Sequence, residues 1–135
     1  MSSFPLQIVT PDGQAFDGQA HKLFCRTIAG DTAILARHCD FLTALGMGEA
    51  RVTLPDGTVR RAACIGGMLA VAGGHVRMVA TTFEWAEDID AARAAASAQK
   101  AREMLAQKGL DARELELAQA KLKRALVRTQ VASAG

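Results

Sequence analysis

The chain has 135 residues, enough for one domain or for a small domain with an appendage, and half of them are hydrophobic, so at least part of it can bury a packed core. Aromatic residues make up only 4%, with no tyrosine, which argues against a stacking platform for single-stranded nucleic acid, and a net charge of +2 is too small to imply a polyanionic partner. An odd count of three cysteines fits reduced thiols in a cytoplasmic compartment, and no apolar run approaches the length of a membrane span.

The N-terminus, MSSFPLQIVT, enters a strand pattern almost at once and reads as neither a secretory signal nor an Arg-rich transit peptide. Leu6 and Ile8 alternate with Gln7. Pro11-Asp12-Gly13 and Pro55-Asp56-Gly57 carry turn chemistry: proline sets φ, aspartate bonds the backbone and glycine accepts a positive φ. Val52 and Leu54 fall on one face of a strand, with Arg51 and Thr53 on the other. From Arg60 to Phe83 the spacing predicts three strands, split by Gly66-Gly67 and Gly73-Gly74; the second pair is a good two-residue hairpin signal. Turns at roughly ten-residue spacing indicate a β-sandwich or barrel.

From Glu87 the period becomes helical. Glu87, Asp88 and Asp90 crowd a first turn, where negative charge suits a helix N-terminus, and Asp88 is a plausible N-cap. Gly109 is placed to end this helix, and Asp111 to cap a second. So short a link makes the two antiparallel. The expected seams are Ala91, Ala94, Ala98, Ala101 and Leu105 on the first helix, and Leu115, Ala118, Leu122, Ala125, Thr129 and Ala132 on the second. Alanine allows close approach but buries little apolar area, so the pair should be weakly held although each helix has high intrinsic propensity. The boundary divides the chain at residues 1–85 and 86–135. Charge divides with it: after Glu116 come Lys121, Lys123, Arg124 and Arg128 and no acid, so the tail ends as a basic rod.

Chemistry at single residues is sparse. His21 and Cys25, four residues apart on a strand, would sit about 13 Å apart and could not share an ion. There is no CxxC or HExxH spacing and no phosphate loop of the GxxxxGK[ST] type, and no cysteine is marked as an activated nucleophile. One cluster remains. Asp90 and Arg93 lie three apart on the first helix, with Lys100 two turns on; Arg124 and Arg128 share a face of the second. Antiparallel folding would bring these toward Glu84 at one end of the hairpin, where cations could hold phosphates and acids could take donors from a base or ribose. A salt-bridged helix surface is the plainer reading of the same residues.

Four segments, LQIVTPDG, GDTAILARH, IGGMLAV and FEWAEDIDAARA, fall in order and at the spacing of a known family. The chain resembles the ε subunit of bacterial F-type ATP synthases, the counterpart of mitochondrial δ. The most specific match is Ile89-Asp90-Ala91-Ala92-Arg93-Ala94, the I-D-x-x-R-A motif at the start of the helical part. The resemblance implies a ten-stranded antiparallel β-sandwich followed by an antiparallel two-helix hairpin. It implies a non-catalytic rotor subunit, with no metal and no required cofactor. The sandwich would bind the γ subunit and the c ring. The hairpin would extend toward the α/β subunits of the catalytic head and restrain ATP hydrolysis, its basic residues Lys121, Lys123, Arg124 and Arg128 meeting acidic segments there. No nucleic acid is implied, and the membrane is met only through the complex, at the cytoplasmic face of the bacterial cell membrane. Some relatives bind ATP as a regulatory ligand, and the residues matched here are Glu84, Ile89, Asp90, Arg93, Ala94, Arg124 and Arg128. Lys100 stands where such members can carry Arg, which keeps the charge but loses the bidentate fork. Asp31 and His38 match the acid and histidine near the c-ring face, while Ala36-Arg37 replaces the usual Pro-Gly. The alternative is a free-standing nucleotide-sensing module built on the same hairpin.

Overall fold

A computed structural model describes residues 2–134 and divides into two compact units, one ending at Trp85 and one beginning at Ala86. The first unit is all β. Its strands are β1 (Phe4–Thr10), β2 (Gly13–Ala20), β3 (Lys22–Thr27), β4 (Gly30–Leu35), β5 (Phe41–Ala44), β6 (Met47–Thr53), β7 (Val59–Ala72) and β8 (His75–Trp85). All pairs are antiparallel except β1 with β8, which run parallel.

The resemblance implies about ten strands and the structure has eight; between Arg60 and Phe83 the spacing predicts three and two form, because Gly66-Gly67 does not reverse the chain. Both glycines have positive φ, +71° and +115°, but β7 runs on through them. They mark a corner. Before it β7 pairs with β6, at Met47 opposite Ile65; after it β7 pairs with β5, at Ala44 opposite Met68. β8 follows β7 around the bend. One layer is therefore β2-β1-β8-β7-β5, using residues 75–80 of β8 and 67–72 of β7. The other is β8-β7-β6-β3-β4, using residues 82–85 and 62–65. The two long strands serve in both layers, as strands do at the corners of packed sheets. Counted by layer, the segments number ten.

Alternation places the core. Leu6 and Ile8 of β1, Leu69 of β7 and Met78 of β8 point inward from one layer; Leu23 and Cys25 of β3, Ile34 of β4 and Val52 of β6 point inward from the other. Each side chain of Leu, Ile or Val size buried this way contributes roughly 1.5–3 kcal/mol of transfer free energy. The predicted turns form. Asp56 Oδ1 accepts from the Thr58 amide at 2.9 Å, and Gly73-Gly74, at φ +56° and +81°, closes the β7–β8 hairpin.

The second unit begins with a 3-10 turn (Ala86–Asp88), then α1 (Ala91–Leu105) and α2 (Ala112–Ala134). Asp88 is not the N-cap. It belongs to the 3-10 turn, and Asp90 caps α1, its Oδ1 accepting from the Arg93 amide at 3.0 Å. α1 ends at Leu105, before Gly109, which supplies a φ of +84° in the connection. Asp111 caps α2 as its position suggests, accepting from the Glu114 amide at 2.8 Å. The helices pack on each other mainly through small residues: Ala94, Ala98 and Ala101 are buried on α1 and Ala118 and Ala125 on α2, which also buries the larger Val131. The seam is narrower than its pattern, since Ala91 and Leu115 are exposed.

Candidate functional site

The I-D-x-x-R-A segment has a local physical logic. Ile89 is buried, Asp90 caps the helix, Arg93 is exposed and Ala94 is buried in the seam. Asp90 therefore spends one carboxylate oxygen on its own helix and keeps the other outward. Arg93 and Lys100 are seven residues apart on α1, about 10 Å along the axis, and both are exposed. On α2, Lys121, Lys123 and Arg124 are exposed and Arg128 is half-buried.

α2 has 23 residues against 15 in α1, and the 3-10 turn packs against α2. The acidic entry, Glu87, Asp88 and Asp90, therefore lies at the end of the hairpin that carries the basic half of α2. Opposite charge gathered in this way favours the closed pair. Glu84 belongs to the β unit, half-buried on β8 opposite Ala63.

Asp31 and His38 are not brought together. Asp31 sits at the start of β4 and pairs with Arg26 across the β3–β4 ladder, with Nε to Oδ1 at 2.5 Å and Nη2 to Oδ2 at 3.4 Å. This hydrogen bond, with the charge of Asp31 behind it, raises the Arg26 pKa further. His38 follows the far end of β4, roughly 13 Å along the strand. Its Nδ1 lies 2.8 Å from the Cys39 carbonyl oxygen and its ring is tilted against Phe41. Between them Arg37 holds a φ of +65° without being glycine.

Three arrangements carried no signal in the sequence. Arg51 and Arg61 stand directly opposite on β6 and β7, and Glu49 bridges them, to Arg51 at 3.2 Å and to Arg61 in a closer contact; Arg51 also lies 4.3 Å over the Phe24 ring. Trp85 sits in a cage of Phe16, Phe83 and Arg60. Gln7, Asp17, His75 and Arg77 line a shallow depression on the other layer. Burial pushes the Cys25 and Cys64 thiols up to about 12, so neither is poised as a thiolate nucleophile. Among the described residues no three His, Cys, Asp or Glu side chains group as a metal-holding set, and no helix is long and apolar enough to cross a membrane.

Comparisons agree across both units. The family profile of the ATP synthase delta/epsilon chain β-sandwich domain matches residues 3–86, and that of the long α-helix domain of the same chain matches residues 87–133. The ATP synthase epsilon chain of Caldicellulosiruptor bescii is 34% identical over 132 residues, covering 98% of this chain and 95% of that one. The epsilon chain of Shouchella clausii is 31% identical, covering 98% and 96%. In fold, a chain from the cryo-EM structure of the Euglena gracilis mitochondrial ATP synthase superposes with a TM-score of 0.85 at 19% identity, covering all of this chain and 83% of that one. A chain from the central stalk and c-ring structure of the Tetrahymena thermophila enzyme gives 0.57 at 15% identity, covering 95% of each.

Proposed function

The chain belongs to the ATP synthase delta/epsilon family, and from that premise we propose that it is a non-catalytic subunit of the central stalk that couples the membrane c ring to the catalytic head and restrains ATP hydrolysis. In this reading the sandwich joins the γ subunit and the c ring, with Asp31 and His38 as contacts at two separate points. The subunit stands at the cytoplasmic face of the membrane and is held there through the complex.

The observation that carries the regulatory part is the alanine seam. Five buried alanine methyls, at roughly 0.8 kcal/mol each, contribute about 4 kcal/mol, and the buried Val131 side chain of α2 adds roughly 1.5–3 kcal/mol. Moving a two-state equilibrium from 1:99 to 99:1 takes about 5.5 kcal/mol of differential binding. The hairpin is thus held by an energy that a partner can match. Opened, α2 presents Lys121, Lys123, Arg124 and Arg128 to acidic segments of the α/β subunits. ATP is the proposed ligand of the closed form. Arg93, Lys100, Arg124 and Arg128 would take its phosphates and Asp90 its donors, and Ile89 and Ala94 would hold the backbone beneath.

The test is reconstitution. The chain should co-purify with γ, and Arg124→Ala with Arg128→Ala should raise ATP hydrolysis of the assembled complex and weaken Mg-ATP binding in calorimetry on the isolated chain. Unchanged hydrolysis would remove both arginines from the restraint. Recovery without γ, with nucleotide bound, would favour the free-standing sensing module instead.

A further inference from the structure

The last residue of β8 is held from both layers of the sandwich. The Trp85 indole N–H donates to the Ala15 carbonyl of β2 at 3.3 Å. Phe16, also on β2, meets the indole edge-on with centroids 6.4 Å apart, and Phe83 does so at 4.9 Å. From β7 of the other layer, the Arg60 guanidinium lies 3.8 Å over the ring. Opposite-sign quadrupole edges and a cation over the π face are each favourable, and together they bury the indole to 8% exposure. Trp85 is also the final rung of the β7–β8 ladder, opposite Ala62. A strand end without such support frays, since few backbone bonds hold it.

The chain is fixed again five residues later. Asp90 closes the first turn of α1 through the Arg93 amide. Between these two points lie residues 86–89, a single 3-10 turn that packs against α2 and the buried Ile89, whose amide donates to the Ala86 carbonyl at 3.3 Å.

We propose that Trp85 is a clamp that sets where movement of the helical unit begins. The proposal rests on the movable-hairpin reading above. With the indole held by Ala15, Phe16, Phe83 and Arg60, displacement of the helices cannot peel β8 from β7. Rotation is confined to residues 86–89, and the sandwich keeps its partner-facing surfaces unchanged while the hairpin changes posture. Trp85 and Arg60 act as positioning residues and touch no ligand in this scheme.

Hydrogen exchange on the full chain, alone and assembled in the rotary complex, tests it. In the wild type, exchange at residues 86–89 should differ several-fold between the two states while residues 83–85 stay equally protected. Trp85→Leu should speed exchange at residues 83–85 at least ten-fold, and Arg60→Gln several-fold, with residues 69–80 unaffected. If Trp85→Leu prevents folding, Arg60→Gln and the milder Trp85→Phe carry the test. Wild-type protection at residues 83–85 in the variants that fold overturns the clamp, as does simultaneous loss at residues 83–85 and 86–89 in the wild type. Equal exchange at residues 86–89 in both states overturns the movable hairpin, and is read separately from the clamp.

Discussion

Gly67 of β7 pairs with Ala80 of β8, and a methyl group on Gly67 would stand 2.0 Å from the Val79 carbonyl oxygen. No side chain fits there. The two strands turn the corner between layers in close backbone contact, and the φ of +115° is one that L-residues rarely adopt.

Gly67→Ala should therefore cost about 3 kcal/mol or more, a clash added to backbone strain. Gly57→Ala is the control: its φ is +90° but nothing lies within 4 Å of the added methyl, so strain alone remains, about 1–2 kcal/mol. Thermal unfolding of the two variants should separate them by several degrees. Equal Tm values would mean that the corner relaxes around a methyl and does not depend on the glycine.

The thiols should divide into two classes. Cys39 is exposed and should label with iodoacetamide in the folded chain, while Cys25 and Cys64 are buried and should label only on unfolding. Burial raises both buried thiols, with a smaller push from Asp31 on Cys25 and from Cys25 on Cys64. A folded pKa above the unfolded one means that the neutral thiol is favoured by folding. That contribution is whole below about 9 and is lost as pH rises toward about 12. Urea midpoints should fall across this alkaline window, and Cys25→Ala with Cys64→Ala should flatten the fall.

Local chemistry made the hairpins at Asp56-Gly57 and Gly73-Gly74 legible, because their dihedral demands are met within four residues. Gly66-Gly67 carries the same demand and misleads. A positive φ permits either a reversal or a bend, and the choice lies with β5 and β6, the remote strands that pair on either side of it. Asp88 and Asp90 are equally good caps by residue type; packing of the 3-10 turn against α2 decides between them. The I-D-x-x-R-A segment was readable as a family resemblance; helix periodicity alone put Ala94 in the seam correctly but put Ala91 there too, which is exposed. The Glu49 bridge between Arg51 and Arg61 and the cage around Trp85 were not, since cross-strand register is a property of the folded sheet.

The sandwich has its own core, spread over β1 to β8 and closed by Trp85. Removal of residues 86–135 should leave a cooperatively folding domain with near-wild-type strand content by circular dichroism, still able to bind γ. A truncated chain that is unfolded or fails to bind would show that the helical unit is needed for the sandwich, and would overturn the two-part organisation.

Ala118 is fully buried in the helix seam, and Ala118→Leu adds three carbons where the helices approach closely. Overpacking of this kind costs about 1–3 kcal/mol, a substantial share of the roughly 6 kcal/mol that closes the hairpin. Leucine favours the helix almost as well as alanine, so α2 itself persists and the cost falls on the closed pair. The variant should keep its helical signal yet populate the open form more, bind Mg-ATP more weakly if ATP selects the closed form, and restrain hydrolysis more strongly in the assembled complex. An engineered disulfide between α1 and α2 should do the reverse and relieve restraint. If both variants leave hydrolysis at the wild-type rate while the helices remain intact, opening of the seam has no part in regulation, and the basic face of α2 must act, if at all, from the closed hairpin.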